Sequence, residues 1–356
     1  MAIEVGKIRN VGVVGHGGVG KTSLVEALLF SAGALTRLGK VDDGSTTTDF
    51  DPDEIKRKIS INTAIAYCDW KSHRINLVDT PGYGDFIADA RAGLRVVEAA
   101  IVVVDGVAGV QVQTEKVWKF ANEYSLPRAV VVNRLDRERA DFYRTLESLA
   151  RRLKGRLVAL QIPVGEESGF KGFVDLVKMK AVTYANGKPA EGEIPGDLAD
   201  RVKEYREKLV EAAAETDDEL LNKYLEEGSL GEPEMLKALR AGIAEGKIVP
   251  VLCASASKTM GSGALLDLIV DSLPSPADRG EIAGTDLKSK QAGARPPDPK
   301  APVAALVFKT LSDPHIGKLS LFRVMSGTLR SDSTLLNPLR GAKERMGHVS
   351  WLMGKT

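Results

Sequence analysis

The sequence has few of the residues that mark specialised protein classes. Its 356 residues include 2 cysteines and 4 histidines, and aromatic residues make up 5%. The cysteines, Cys68 and Cys253, are too few and too far apart for a disulfide framework or a cysteine metal cage, so we expect buried thiols. The formal net charge of +1 provides no overall electrostatic attraction for nucleic acid or an anionic membrane.

Long hydrophobic runs are missing as well. The N-terminal segment MAIEVGKIRN lacks the apolar core of a signal peptide. The densest apolar run, AAIVVVDG, is much shorter than the roughly 20 residues that a membrane span needs. We therefore expect a cytoplasmic protein without a membrane partner. The chain stops at SWLMGKT directly after a strand-rich stretch, and from this we expect a fragment of a longer polypeptide.

What the sequence does contain is a regular alternation of strand and helix patterns. The Val- and Ile-rich runs in IRNVGVVG, RINLVDTPG, AAIVVVDG and RAVVVNRLD are predicted strands, and the segments between them have helical spacing. This alternation predicts an α/β fold, with helices on both faces of a mostly parallel sheet. After about residue 160, shorter strands and one long helix (about residues 199–227) interrupt the pattern until KIVPVLCASA returns to buried-strand character.

These changes of pattern predict the domain organisation. Residues 1–160 and 249–278 form the α/β domain, and residues 161–248 form a subdomain inserted into it. Residues 279–301 are rich in Gly, Pro and charge, which is typical of a linker. Residues 302–356 contain short strands separated by turn residues, which predicts an incomplete β-barrel.

The most specific motif is GHGGVGKT, which directly follows a strand and opens a helix. It matches G-x-x-x-x-G-K-[ST], in which glycines let backbone N–H groups converge on phosphates at a helix N-terminus. Lys21 would reach the β- and γ-phosphates in catalysis, and the Thr22 hydroxyl would bind Mg²⁺. The predicted nucleotide-binding residues of this loop are Gly15, His16, Gly17, Gly18, Val19, Gly20, Lys21, Thr22 and Ser23.

A second motif, DTPG, starts at Asp79 and closes the strand RINLVD. In P-loop enzymes a carboxylate at this place supports the metal ion, and the amide of the glycine, here Gly82, senses the γ-phosphate. The next residue, Tyr83, stands where such a site needs a group to manage a water molecule.

A third motif, NRLD, starts at Asn133 and closes another strand. The Asp136 carboxylate can accept two hydrogen bonds from guanine, a pair of donors that adenine does not present. The Arg134 guanidinium would stack on the base. Ser255 and Ala256, after the strand IVPVLCA, would supply backbone contacts to the guanine oxygen. An ATPase would require that Asp136 does not select guanine.

These elements in this order resemble the N-terminal part of translation elongation factor G, and the resemblance extends over nearly all of the chain. The segments PVLCASASKTMGSGALLDLIVDSLPSP, KGFVDLVKMKA, FRVMSGTL and KER are similar to that family. The resemblance implies GTP and GDP as ligands, Mg²⁺ as cofactor and a monomer that acts on the ribosome in translocation. It implies contact with the ribosomal stalk and the GTPase-activating RNA region, and no sequence-specific nucleic acid binding. The family has five domains, and the last three are absent here.

Several positions around the γ-phosphate depart from the family pattern. Family members carry DTPGH, in which the histidine positions the attacking water, and here that position is Tyr83. A neutral phenol cannot supply the positive charge of an imidazolium. Gly18 replaces the family's Asp, and Gly17 replaces an apolar residue that screens the γ-phosphate. The family's R-G-I-T is RKIS here, in which Ser60 keeps a hydroxyl for Mg²⁺.

From these departures we expect intact binding of GTP and Mg²⁺ with slow or altered hydrolysis, similar to a divergent branch of elongation factor G paralogues. Loss of the histidine is expected to lower the rate by about 10²- to 10⁴-fold. The alternative is a GTP-dependent ribosome-binding factor, protective or regulatory, whose hydrolysis is negligible. For Tyr83 the alternative is a packing role. The polar segment GKVDDGSTTTDFDPDE is expected to be a loop that orders on GTP binding.

Overall fold

The computed structural model describes residues 3–185, 187–286, 289–313 and 317–355. Its first part is the predicted α/β fold. In chain order the strands up to the end of this part are β1 (Ile8–Gly15), β2 (Ala64–Trp70), β3 (His73–Asp79), β4 (Ala99–Asp105), β5 (Arg128–Asn133), β6 (Arg156–Ala159), β7 (Gln161–Val164), β8 (Gly172–Asp175), β9 (Lys180–Ala185), β10 (Lys188–Gly192) and β11 (Ile248–Cys253).

The helices alternate with these strands. They are α1 (Lys21–Ser31), α2 (Pro52–Arg57), α3 (Ile87–Leu94), α4 (Val112–Glu123), α5 (Phe142–Arg152), α6 (Ala199–Ala214), α7 (Asp218–Glu227), α8 (Glu232–Ala244), α9 (Ser262–Ser272) and α10 (Pro276–Arg279). Within the described ranges, no helix is long and apolar enough to cross a membrane.

A seven-stranded sheet forms the centre of the α/β domain, in the order β2-β3-β1-β4-β5-β11-β6. All neighbours are parallel except β2 and β3. Strands β4, β5 and β11 are buried on both faces, as their continuous Val and Ile runs require. The mostly parallel sheet is therefore confirmed, and the carboxyl ends of β1, β3, β5 and β11 lie at one edge.

Two strands of this sheet were not predicted from the sequence. Strand β2 is the antiparallel edge strand, and its side chains alternate between buried and half-buried. Strand β6 has only four residues and pairs with β11 at the opposite edge. Both are short or alternating, so neither has the continuous apolar run that identified the other strands.

The inserted subdomain consists of a four-stranded antiparallel sheet, in the order β10-β9-β8-β7, together with α6, α7 and α8. The prediction of one long helix over about residues 199–227 was wrong. The segment forms two helices, because Asp217 accepts hydrogen bonds from the backbone N–H groups of Glu219 and Leu220 and starts α7 as its N-cap.

The C-terminal part consists of antiparallel strand pairs. Its strands are β12 (Ile282–Thr285), β13 (Ala292–Arg295), β14 (Ala304–Asp313), β15 (Gly317–Ser326), β16 (Thr334–Asn337) and β17 (Ala342–Arg345). They pair as β12-β13, β14-β15 and β16-β17. The first pair lies within residues 279–301, which the composition predicts to be a linker.

Buried charges attach the β14-β15 pair to the α/β domain. Arg323 lies 2.5 Å from the Glu98 carboxylate and donates to the Val96 carbonyl at 2.6 Å. Glu98 is 2% exposed and also lies 3.6 Å from Arg279. A buried carboxylate needs such partners because its desolvation is costly.

Substitution of Arg323 by Met should therefore weaken this attachment. Removal of one member of a buried ion pair costs about 3 kcal/mol, so we expect a clearly lower midpoint in urea-induced unfolding. The matched control is Arg345→Met, because the ion pair between Arg345 and Asp332 is exposed and exposed pairs contribute little. Equal midpoints for the two variants would contradict the role assigned to Arg323.

Candidate functional site

The loop between β1 and α1 is shaped by glycines. Gly20 has a φ of 90°, in the left-handed region that side chains disfavour. A Cβ at Gly20 would also lie 2.6 Å from Asn133 Nδ2. A glycine is therefore required immediately before the N-terminus of α1, where backbone N–H groups remain free to bind an anion.

A cleft of about 330 Å³ lies along this loop. Most of the residues predicted from separate motifs line it together. These are Gly17, Gly18, Gly20, Lys21, Thr22, Ser23, Ser60, Gly82, Tyr83, Asn133, Arg134 and Ala256. The remaining predicted residues, Gly15, His16, Val19, Asp79, Asp136 and Ser255, lie beside or beneath this lining.

Lys21 is buried under the loop, and its Nζ donates to the His16 carbonyl at 2.9 Å. Burial lowers its pKa to about 8, although the nearby carboxylates of Asp79 and Asp49 oppose this shift. A Cβ at Gly82 would overlap with Lys21 Nζ and the His16 carbonyl. The glycine of DTPG is therefore needed for the close approach of the two loops.

A cluster of oxygen atoms lies next to Lys21. The Thr22 and Ser60 hydroxyl oxygens are 3.0 Å apart, and Thr48 Oγ1 donates to Asp79 Oδ2 at 2.7 Å. The other Asp79 oxygen, Oδ1, is buried and has no hydrogen-bond partner among the described residues. Hydroxyl and carboxylate oxygens suit Mg²⁺, so this set of residues fits that ion.

The same described ranges contain no group of three or more His, Cys, Asp and Glu side chains arranged to hold a metal ion. This agrees with a magnesium ion that the protein binds through few ligands, since Mg²⁺ at nucleotide sites is held largely by phosphates and water.

Asp49 is a buried carboxylate at this cluster that the sequence reasoning missed. Burial and the neighbouring Asp79 raise its pKa to about 7, and a hydrogen bond with Ser60 opposes the shift. Burial also raises the pKa of Asp79. Asp49 and Thr48 lie in the sequence TTTD of the segment predicted to be a loop, and their position directly before DFDPDE gave no periodic signal.

That segment contains a short helix as well. Asp51 caps α2 by accepting from Asp53 N at 2.8 Å, and Glu54 accepts from the Asp51 backbone N–H at 3.2 Å. Glu54 also accepts from Ile61 N and Asn62 N. The capping sequence DPDE was a local signal for this helix that the sequence reasoning missed.

At the other end of the cleft, Asn133 connects three loops. Its Nδ2 donates to the Val19 carbonyl at 3.0 Å, and its Oδ1 accepts from Ala256 N at 2.9 Å. Arg134 Nη1 donates to Asp105 Oδ2 at 2.8 Å. Asp105 therefore fixes the guanidinium that was predicted to stack on a base, although the sequence reasoning did not identify this partner.

Asp136 lies near the same end, where Lys258 Nζ is 3.6 Å from Asp136 Oδ2. Ser255 is fully buried and its backbone N–H donates to the Met260 carbonyl. The turn that begins at Ser255 therefore supports the NRLD loop through both Lys258 and Ala256.

Tyr83 lies at the mouth of the cleft, 41% exposed, and its ring faces Gly17. His16 Nδ1 accepts from Gln113 N at 3.4 Å on the same side. Burial and the charge of Lys21 lower the pKa of His16, so its neutral form is favoured near pH 7.

Proteins with this arrangement are known. Residues 6–275 match the elongation factor Tu GTP binding domain family, and residues 302–356 match elongation factor G domain 2. The chain belongs to the elongation factor G family. A crystal structure from Thermus thermophilus is similar to this family member, with a TM-score of 0.86 and 37% sequence identity. The match covers 99% of this chain and 50% of that one, so the chain spans about half the length of the solved relative.

The two titrating groups of this elongation factor G family member give a testable pH dependence. A bound phosphate favours protonated Lys21, whose pKa is about 8 without nucleotide, so binding takes up a proton above that pH. A bound cation favours ionised Asp49, whose pKa is about 7, so binding releases a proton below that pH.

We therefore expect net proton uptake on Mg²⁺-GDP binding at about pH 9 and net release at about pH 6.5. Isothermal titration calorimetry in buffers of different ionisation enthalpy measures both quantities. Asp49→Asn should reduce the release and leave the uptake. Uptake that is the same at both pH values would contradict the assignment.

Proposed function

We propose that the chain is the GTP-binding part of an Mg²⁺-dependent GTPase of the elongation factor G type that acts on the ribosome in translocation, with slow or altered hydrolysis. The proposal includes the domain limits given above, a monomeric protein, the cytoplasm as its location, and the ribosomal stalk and GTPase-activating RNA region as contact sites. The observation that carries it is the cleft in which the phosphate loop, the metal-binding oxygens and the NRLD loop come together.

The phosphate end of the cleft supports binding of a nucleoside triphosphate. The backbone N–H groups of residues 15–23 would surround the phosphates, and Lys21 would neutralise the charge that develops on the β- and γ-phosphates. When bound, Mg²⁺ would supply further charge stabilisation, held by Thr22, Ser60 and Asp79. The unpaired buried oxygen of Asp79 supports this ligand set.

The other end of the cleft supports selection of guanine. Asp136 is 13% exposed and is held by Lys258, so its carboxylate has a defined position. Two donors on guanine match its oxygens, whereas adenine offers no such pair. Arg134, held by Asp105, would cover one face of the base.

The hydrolytic step requires a water molecule positioned near the γ-phosphate. In this chain the Gly82 backbone amide and the neutral phenol of Tyr83 are the groups nearest to the predicted position. A phenol can hydrogen-bond to water but cannot offer the charge of an imidazolium, and this supports slow or altered hydrolysis.

The second candidate is a ribosome-binding factor, protective or regulatory, that is controlled by GTP but hydrolyses it negligibly. Contact between the Tyr83 ring and Gly17 favours it, because a ring that packs on the loop is not directed at a water molecule.

Single-turnover GTP hydrolysis by the full-length protein, with and without ribosomes, separates the two candidates. We expect ribosomes to accelerate the unchanged protein, and Tyr83→His to raise that rate by at least about tenfold, within the 10²- to 10⁴-fold range of a proton-transferring group. ATP serves as the control substrate and should not be hydrolysed. A ribosome response by the histidine variant alone would contradict the first candidate and support the second.

A further inference from the structure

Gly17 and Tyr83 are in direct contact across two loops. A Cβ at Gly17 would lie 2.9 Å from each of three Tyr83 ring atoms, Cε1, Cε2 and Cζ. Equal distances to three atoms of a regular hexagon place a point on the axis through the ring centre. The face of the Tyr83 ring therefore lies flat against Gly17, in the space that a side chain at this position would occupy.

The glycine at position 17 is required by this ring and not by the backbone. Gly17 is absent from the described residues with positive φ, so an L-residue could adopt its backbone conformation. The neighbouring Gly18 is the opposite case. Its φ is 78°, and a Cβ there would have no heavy atom within 4 Å. The two adjacent glycines thus have different physical causes.

The ring also borders the phosphate end of the cleft. Tyr83 directly follows Gly82, which packs against Lys21 and the His16 carbonyl. Ile59 and Ser60 line the same cleft from the segment before β2. The ring therefore forms the outer wall beside the place where the proposed function puts the γ-phosphate.

We infer that Tyr83 is a positioning residue whose ring supplies, from the DTPG turn, the wall that position 17 lacks, so that Gly17 and Tyr83 act as one unit that retains a nucleoside triphosphate. This inference rests on the proposed function, because it requires guanine nucleotide binding in the cleft. It assigns the retaining role to the ring face, and the hydroxyl is not needed for it. Two departures from the family pattern are then one coupled change.

The test is the dissociation rate of a fluorescent, non-hydrolysable GTP analogue from the Mg²⁺-bound full-length protein, measured by stopped flow. We expect Tyr83→Ala to raise the rate about fivefold to tenfold, because the wall is lost. Gly17→Ala should raise it by a similar factor, because the new Cβ displaces the ring. In the double variant the second substitution should add nothing, since coupled residues are not additive. Tyr83→Phe keeps the ring and should restore slow dissociation.

Gly18→Ala is the matched control. Its left-handed backbone makes it strained in any background, so its effect should be the same with Tyr83 and with Tyr83→Ala. GDP dissociation should change much less than that of the analogue, because the ring does not border the base end.

The outcomes distinguish the inference from the proposed function. Additive effects of Gly17→Ala and Tyr83→Ala, or a Tyr83→Phe variant as fast as Tyr83→Ala, overturn the inference while nucleotide binding stands. If the unchanged protein binds neither GDP nor the analogue, both the proposed function and the inference are wrong.

Discussion

The side-chain amide of Asn133 joins the loops that follow three parallel strands, and the geometry of the cleft depends on it. It donates to Val19 in the loop after β1 and accepts from Ala256 in the turn after β11, while Asn133 itself ends β5. Because all three strands run in the same direction, their carboxyl ends meet at one edge of the sheet. One buried amide with both of its functions satisfied can therefore hold the phosphate loop and the base-binding loops in register.

A second constraint is the balance of buried charge at the phosphate end. Lys21, Asp79 and Asp49 are all buried, and burial shifts the pKa of each toward its neutral form. Such a group is more costly to leave unpaired than one on the surface. The protein without nucleotide thus holds a lysine that gains from an anion and a carboxylate pair that gains from a cation. Nucleotide with Mg²⁺ satisfies both requirements together.

Contiguous motifs carried most of what the sequence could predict. GHGGVGKT, DTPG and NRLD each follow a buried strand, and the parallel α/β sheet that places them together was evident from continuous Val and Ile runs. Strand β2, helix α2 and the break before Asp218 were missed because their signals are short caps or alternation instead of long periodic runs. Thr48, Asp105 and Lys258 were missed because their partners are distant in the sequence, and no local pattern identifies such pairs.

The pair formed by Gly17 and Tyr83 shows the same limit most clearly. Each position was visible as a departure from a family pattern, but the sequence could not show that the ring of one fills the side-chain space of the other. Crystallography of the full-length protein with Mg²⁺ and a non-hydrolysable GTP analogue would test the account most directly. The account predicts the Tyr83 ring still flat on Gly17, beside the γ-phosphate, with Thr22 and Ser60 bound to the ion. A ring turned away from Gly17 while the analogue is bound would contradict it.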